Sequence, residues 1–587
     1  MTLIDNRSPV ALRTRSVVSE PVGARQELRQ RDQWRWLAAA VPTVLVGLHA
    51  VRYGQWIVDD AGISFAYARS LATGAGPVLQ PGAHPVEGFS NPAWVAILVV
   101  GRRLGLFDNG AWFGVSDLVL FPRLVALSCC FGMFSCFHAI VATVRTRHVV
   151  LVTVAAGALT AAVPSFVIWT MSGLENSLLA LAVVAVAATL VRAAQTDRIL
   201  DTRPAVVCGA LAALAALTRP EGLVYAAAYP IAAILLHRSD GRRAARMIAT
   251  SLGTALVPVA AYLAWRVITF HSWLPNPAIA KQQGLPAPSD FNKPTDLIVS
   301  AGWLAALLAV TFVVTAFRRP STLRTPLVIL LIPLGLALFS YCVLQNDRMA
   351  EFRFSTPVWP LASLMLALSV AHVLERVDAR TALAAVAALV TVGLLTLNLW
   401  NQQSNAFARN PTPSLCAVAR HTGYLINTYA DRLGIDDGSL LAVDAGGTAL
   451  TSRLRFVDLA GLTDQRIARY WADGDMTGLR DHVFDDVRPT FIRIWYTWDG
   501  NASSGILDDA RLQRDYEHIW GPPQGGGTWV RRDAVSDPSN LTLLQQQAPH
   551  LNDVVVAGWA HGLTKWPCGG TLRPSARGDD PLTKLPN

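Results

Sequence analysis

Between residues 34 and 399 one apolar run follows another, each closed by a short polar turn. A bilayer core about 30 Å thick takes about 20 apolar residues per helix. Runs at 34–51, 118–144, 149–168, 174–194, 204–218, 222–237, 247–268, 296–317, 325–345, 354–376 and 380–399 therefore predict about eleven spanning helices. The pair 204–218 and 222–237 is short and reads as tilted or hairpin-like. Composition agrees: 52% of the 587 residues are hydrophobic and 16% are charged, against roughly 25% charged in a soluble domain. Disorder, a fibrous repeat and a disulfide scaffold are excluded.

The net charge of +9 comes almost entirely from arginine, since the only lysines are Lys281, Lys293, Lys565 and Lys584. The arginines lie in the turns between apolar runs, which marks orientation in a lipid bilayer rather than a nucleic-acid partner. Residues 1–33, with Arg7, Arg13, Arg15, Arg25, Arg29 and Arg31, read as a disordered cytoplasmic tail rather than a signal peptide. With the N-terminus inside, the cytoplasmic loops hold Arg145 and Arg147, then Arg192, Arg198 and Arg203. The following ones hold Arg238, Arg242, Arg243 and Arg246, then Arg318, Arg319 and Arg324, then Arg376 and Arg380. This pattern requires that the run 92–101, at about ten residues, does not cross; it reads as an interfacial or re-entrant helix.

An odd number of spans places the chain after residue 400 outside. The expected organisation is a membrane domain over 34–400 with a first outer loop at 53–117, an extracytoplasmic domain over 401–569 and a loose tail over 570–587. β-like runs at 440–443, 491–495 and 528–530, separated by turn signals, predict an α/β or β-rich outer domain. The fold class is thus a polytopic α-helical membrane protein with a C-terminal extracytoplasmic domain. Cys129, Cys130, Cys136, Cys208 and Cys342 fall in apolar runs. Cys416 and Cys568 lie in the polar part, where an oxidising compartment permits a disulfide between them.

Polar residues collect in the outer loops. The first begins Trp56-Ile57-Val58-Asp59-Asp60-Ala61-Gly62. Adjacent, partly buried carboxylates raise each other's pKa, which suits a general base; the plainer alternative is a helix start with Asp as cap. The same loop carries His84, Glu87 and Asn91 as acid/base or ligand candidates, or as ordinary loop polar residues. Later loops hold Glu175 and Asn176, Arg219 and Glu221, Asn276 and Lys281, and Asp347, Arg348, Glu351 and Arg353. Ionisable groups at span ends are costly and point to function, or they snorkel and cap helices. Arg219, Lys281, Arg348 and Arg353 together suit a phosphate, and the clustered carboxylates permit Mg²⁺ or Ca²⁺.

The sequence has no Walker A motif, no dinucleotide fingerprint, no zincin motif and no nucleophile elbow. An enzyme of this kind takes an activated substrate from the bilayer. The motifs Asp59-Asp60 through Arg69, Pro85-Val86-Glu87-Gly88-Phe89-Ser90-Asn91, Ser172-Gly173-Leu174-Glu175-Asn176, Arg219-Pro220-Glu221, Pro275-Asn276 with Ala280-Lys281, and Glu351-Phe352-Arg353-Phe354 resemble those of GT-C integral membrane glycosyltransferases. Among these, the chain is similar to the mycobacterial-type terminal (β-1,2) arabinofuranosyltransferase family over residues 50–360. It departs from that pattern at His84 and Pro277.

The resemblance implies a polyprenyl-phosphate sugar donor, such as decaprenyl-phosphoryl arabinose, and a cell-wall glycan acceptor on the outer face. It implies Asp59 or Asp60 as the base, with Asp59 favoured, and Lys281 with arginines at the leaving phosphate. Glu87 and Glu175 would shape the sugar or acceptor pocket, with His84, Asn91, Asn176, Glu221, Asn276 and Asp347 as further pocket candidates. Two other classes fit less of the sequence. A transporter of lipid-linked sugars would show repeats and midplane polar residues. A glycan-binding scaffold would use Trp495, Trp498, Trp520 and Trp529, which serve equally as a domain core.

Overall fold

The computed structural model describes residues 22–144, 146–236, 240–282, 284–318, 321–345, 349–495, 504–521, 525–560 and 568–578. Every predicted apolar run in these is helical. Among the described residues six helices are long and apolar enough to cross a bilayer: Trp34–Tyr53, Asp117–Val144, Asn176–Gln195, Gly241–Phe270, Arg324–Val343 and Ala379–Arg409. Counting the bent pairs Val149–Ala162 with Pro164–Thr170 and Pro288–Ala301 with Trp303–Arg318 as single spans raises this to eight. The remaining three predicted spans are the shorter helices Thr202–Thr218, Pro220–Leu236 and Val358–Leu374. Of the expected eleven, six to eight are thus long enough to cross by length and composition, since a helix rises about 1.5 Å per residue. The bends fall at Pro164 and Gly302, where the i→i−4 ladder is interrupted.

The helix Pro92–Arg103 is short and buries Trp94, Val95, Leu98 and Gly101. The first helix starts at Val22, inside the stretch expected to be a disordered tail, of which residues 1–21 lie outside the described residues. Polar groups within the apolar layer are satisfied locally. Arg123, one turn and a half into its helix, donates to the Gly54 and Trp56 carbonyls at 2.6 Å each. His49 touches the Ala161 carbonyl, Tyr53 and Ser404, joining the first span to the last.

A hairpin of β1 (Ala111–Trp112) and β2 (Val115–Ser116) lies between the helices Trp34–Tyr53 and Asp117–Val144. The C-terminal domain is α/β. Its sheet comprises β3 (Ser439–Ala442), β4 (Arg455–Asp458), β5 (Phe491–Trp495), β6 (Tyr516–Trp520) and β7 (Gly526–Arg531), in the order β4-β3-β5-β7-β6. β3 runs parallel to β4 and β5, and β7 is antiparallel to β5 and β6. Side chains alternate along a strand, and here both faces are apolar. Leu440, Phe491 and Val530 join the core shared with the membrane helices. Leu441, Ile492 and Ile494 build a separate core with Ile467, Trp471 and Leu479. One sheet face is thus committed to docking. The aromatics are divided too: Trp529 packs on the second core, while Trp520 packs on the first; Trp498 lies outside the described residues.

The expected loose tail is held as far as Gly578, with 579–587 outside the described residues. Cys416 is bonded to Cys568, their Cα atoms 5.0 Å apart. Beyond the bridge, Leu572 is buried and Arg573 donates to both carboxylate oxygens of the fully buried Asp108 at 3.0 Å. Ion pairs and a covalent tether replace the disorder that the polar composition suggested.

Candidate active site

The helix Asp59–Ala72 places two carboxylates in its first turn, where helix N-termini favour negative charge. Successive residues on a helix diverge by about 100°, so the two face different ways. Asp59 turns toward the C-terminal domain. Its Oδ2 accepts the Gly446 amide at 3.1 Å and its Oδ1 the Gly447 amide at 2.7 Å. Burial, reinforced by the nearby charges of Asp444 and Asp60, pushes the Asp59 carboxyl well above the usual carboxylate range; the two amides oppose this. Packing around Asp444 pushes that carboxyl up to about 6, opposed by Arg493.

Asp60 faces a cavity of about 280 Å³ that gathers residues distant in sequence. Glu175 and Glu221 share its wall with Arg219, Lys281 and Arg353, and Leu462 of the C-terminal domain completes it. Within it a polar chain runs inward from the helix Asp59–Ala72. Ser64 donates to Asn91 at 3.2 Å, Asn91 to Glu175 at 2.6 Å, and Arg219 to Glu175 at 2.7 Å and to Glu221. The Phe354 ring lies between two guanidiniums, Arg219 at 4.8 Å and Arg353 at 4.9 Å. Arg353 is delivered by three consecutive left-handed residues, Ala350, Glu351 and Phe352, at φ 58°, 51° and 54°. Such non-glycine residues are sparse and cluster at functional sites. Here the Glu351 carbonyl is pinned by the Ser165 hydroxyl at 2.7 Å and the Trp169 indole at 2.8 Å.

The arrangement brings some of the expected residues together and sets others apart. Of the two expected candidates, Asp59 has both oxygens engaged by the Gly446 and Gly447 amides, and Asp60 lines the cavity. Glu87 is not on the cavity wall. It accepts from Tyr262 at 2.6 Å and from Arg266, anchoring its loop to the helix Gly241–Phe270, and burial raises its pKa. His84 is exposed on the loop and also stands off the wall. Asn176 donates to the Arg353 carbonyl at 3.2 Å and to Thr356 at 3.1 Å, behind the wall. Asn276 donates to the carbonyls of Gly461, Leu462 and Asp464, and so holds the loop that carries Leu462. Asp347 and Arg348 lie outside the described residues. Among the described residues no group of three His, Cys, Asp or Glu could hold a metal ion; Glu175 and Glu221 both bind Arg219 instead.

Sequence reasoning missed Ser64, Leu462, Arg266 and the Gly446-Gly447 pair. Two glycines directly after a strand and Asp444 are a signal for close backbone approach; nothing in the sequence named the partner.

No protein-family model matches the sequence, and no curated protein matches it. Solved structures do share the architecture. ArnT from Cupriavidus metallidurans in the apo state aligns with a TM-score of 0.53 and 14% identity, over 87% of this chain and 100% of that one. The same protein bound to undecaprenyl phosphate aligns at 0.50 and 14%, over 86% and 99%. The arabinosyltransferase EmbB from Mycobacterium smegmatis aligns at 0.39 and 14%, over 89% of this chain and 41% of that one, too remote to argue from. The chain shares the fold of these ArnT structures.

Proposed function

We propose that this protein is a membrane glycosyltransferase that moves a sugar from a polyprenyl-phosphate donor to a glycan acceptor on the outer face. The cavity carries this reading: Asp60 shares a wall built from both halves of the chain with Lys281 and Arg353, while the wall's other carboxylates, Glu175 and Glu221, are paired with Arg219. Asp60 accepts the proton of the acceptor hydroxyl as that oxygen attacks the anomeric carbon. The bond from the anomeric carbon to the phosphate oxygen breaks, and the lipid phosphate leaves with the electron pair. Lys281 and Arg353 meet its charge. Arg219, clamped by Glu175 and Glu221, shapes the pocket and presents Phe354 to it. The ArnT fold, seen in that protein with undecaprenyl phosphate, supports a polyprenyl-phosphate carrier.

The sugar in this reading is arabinofuranose, carried by decaprenyl phosphate, and the acceptor is a cell-wall arabinan; both rest on the motif resemblance. Purified protein in lipid nanodiscs, given decaprenyl-phosphoryl arabinose and a synthetic arabinan oligosaccharide, is expected to add one pentose, read by mass spectrometry. Asp60→Asn should lower kcat by about 10²–10⁴-fold, the usual contribution of a general base. Transfer only from a polyprenyl-phosphate hexose such as mannose would replace the sugar and keep the mechanism. No transfer from any lipid donor would overturn the reading.

A further inference from the structure

The helix that carries Asp60 is gripped by the C-terminal domain at both ends. At its start, Asp59 holds the Gly446 and Gly447 amides. The backbone there is also fixed: Leu415 donates to the Ile57 carbonyl at 2.9 Å and Asp59 to the Pro413 carbonyl at 3.0 Å. At its end, Arg69 donates to the Leu450 carbonyl at 3.1 Å, to the Leu572 carbonyl at 2.6 Å and to Asp108. Leu450 belongs to the same short helix, Ala445–Thr451, that begins at the two glycines. Between the grips the helices meet without side chains. A Cβ on Gly446 would lie 1.8 Å from the Asp59 carbonyl oxygen, and one on Gly62 would lie 2.7 Å from the Gly446 carbonyl carbon. This contact stands on the opposite side from Ser64 and Asp60, which face the cavity. A helix of 14 residues is marginal alone, so its orientation is set by what holds it.

From this geometry we infer that Asp59 is a positioning residue for Asp60, and that the C-terminal domain aims the base by clasping Asp59 with the amides of Gly446 and Gly447. The inference rests on the glycosyltransferase reading above. It gives the outer domain a part in the chemical step beyond supplying Leu462 to the wall.

The test compares wild type, Asp59→Asn, Gly446→Ala and the double variant in nanodiscs, with lipid donor and acceptor varied separately. Asparagine keeps the shape but turns an NH₂ toward one of the amides. The expected result is a fall in kcat of about 10- to 100-fold, the scale of a slightly misplaced catalytic group, with KM for the lipid donor changed less than about twofold. Gly446→Ala should show the same pattern with both aspartates intact. The double variant should be no worse than the weaker single, because both break one contact. Should Gly446→Ala fail to fold, Gly62→Ala opens the same contact from the other helix. Unchanged kcat in a folded Asp59→Asn protein overturns the inference, as does a loss confined to KM. An inactive Asp59→Asn beside an active Gly446→Ala would make Asp59 the base itself and also overturn it. A wild type that transfers nothing from any polyprenyl-phosphate donor removes the reaction, and the inference with it.

Discussion

Arg219 is the residue whose surroundings were hardest to foresee. At a span end it reads as a phosphate ligand, yet it is only 7% exposed and joins Glu175, 3% exposed, to Glu221. Removing one partner of a buried pair strands the other charge, at about 3–5 kcal/mol. Arg219→Gln should therefore lower the thermal midpoint sharply, and Arg219→Lys should restore little, because the two carboxylates use separate guanidinium nitrogens. Wild-type stability in differential scanning fluorimetry would refute this. Asp458, at the end of β4, gives a pH signature. It accepts the Ala460 amide, the Thr463 amide and the Thr463 hydroxyl at 2.9, 2.8 and 3.0 Å, yet burial pushes it up to about 7. An unfolded aspartate titrates near 3.9, so the folded protein holds this proton more tightly between the two values. The contribution is full below about pH 4 and is lost as pH rises through about 7, at up to roughly 1.4 kcal/mol per unit. Asp458→Asn should flatten the decline of the midpoint between about pH 4 and pH 8; parallel curves would show that Asp458 does not hold the proton. The types of residue at the site were legible, because ionisable side chains beside apolar spans are conspicuous. Which of two adjacent aspartates faces the cavity was not, since that depends on how Gly446 approaches from nearly four hundred positions away.

At the scale of elements, apolar length carried the helices, and turn signals carried three strands of the sheet, β3, β5 and β7, but not β4 or β6. Neither carries information about a segment held by distant partners. Residues 568–578 have no periodicity, yet they are fixed by Cys416, by Asp108 through Arg573, and by Asp436 through Arg577. The bridge spans 152 positions, and removing a native disulfide typically costs about 2–5 kcal/mol. Cys416 also sits next to Leu415, whose side chain lies against Gly62 of the base-bearing helix. Replacing both cysteines by serine should lower the thermal midpoint and speed tryptic cleavage after Arg577, which precedes Gly578, read by mass spectrometry of the released C-terminal peptide. Unaltered cleavage kinetics would mean that the ion pairs at Asp108 hold the segment unaided.

For the whole molecule, the decisive question is which side of the membrane holds the cavity. Arg243 pairs with Asp201 at 3.0 Å, among the arginine-rich turns that the positive-inside rule assigns to the cytoplasm. Asp60, Lys281, Arg353 and the C-terminal domain meet elsewhere, around one cavity. A lipid-linked sugar offered on the outer leaflet requires that this cavity face outward. The assignment turns on Pro92–Arg103: a crossing there would invert everything downstream, but the helix is 12 residues long and buries one side against the first loop. Cysteines placed at two exposed positions decide the matter, Ser539 in the C-terminal domain and Ala245 at the start of the helix Gly241–Phe270. A membrane-impermeant maleimide should label Ser539→Cys in intact cells and Ala245→Cys only after permeabilisation. The native cysteines contribute little background once the half-buried Cys136 is replaced by serine, since Cys129, Cys130, Cys208 and Cys342 are buried and Cys416 and Cys568 are bonded. The reverse pattern would put the cavity on the cytoplasmic side and require a donor presented from the inner leaflet. The same Asp60 chemistry would then act on an acceptor made inside the cell, which a wall glycan already exported could not be.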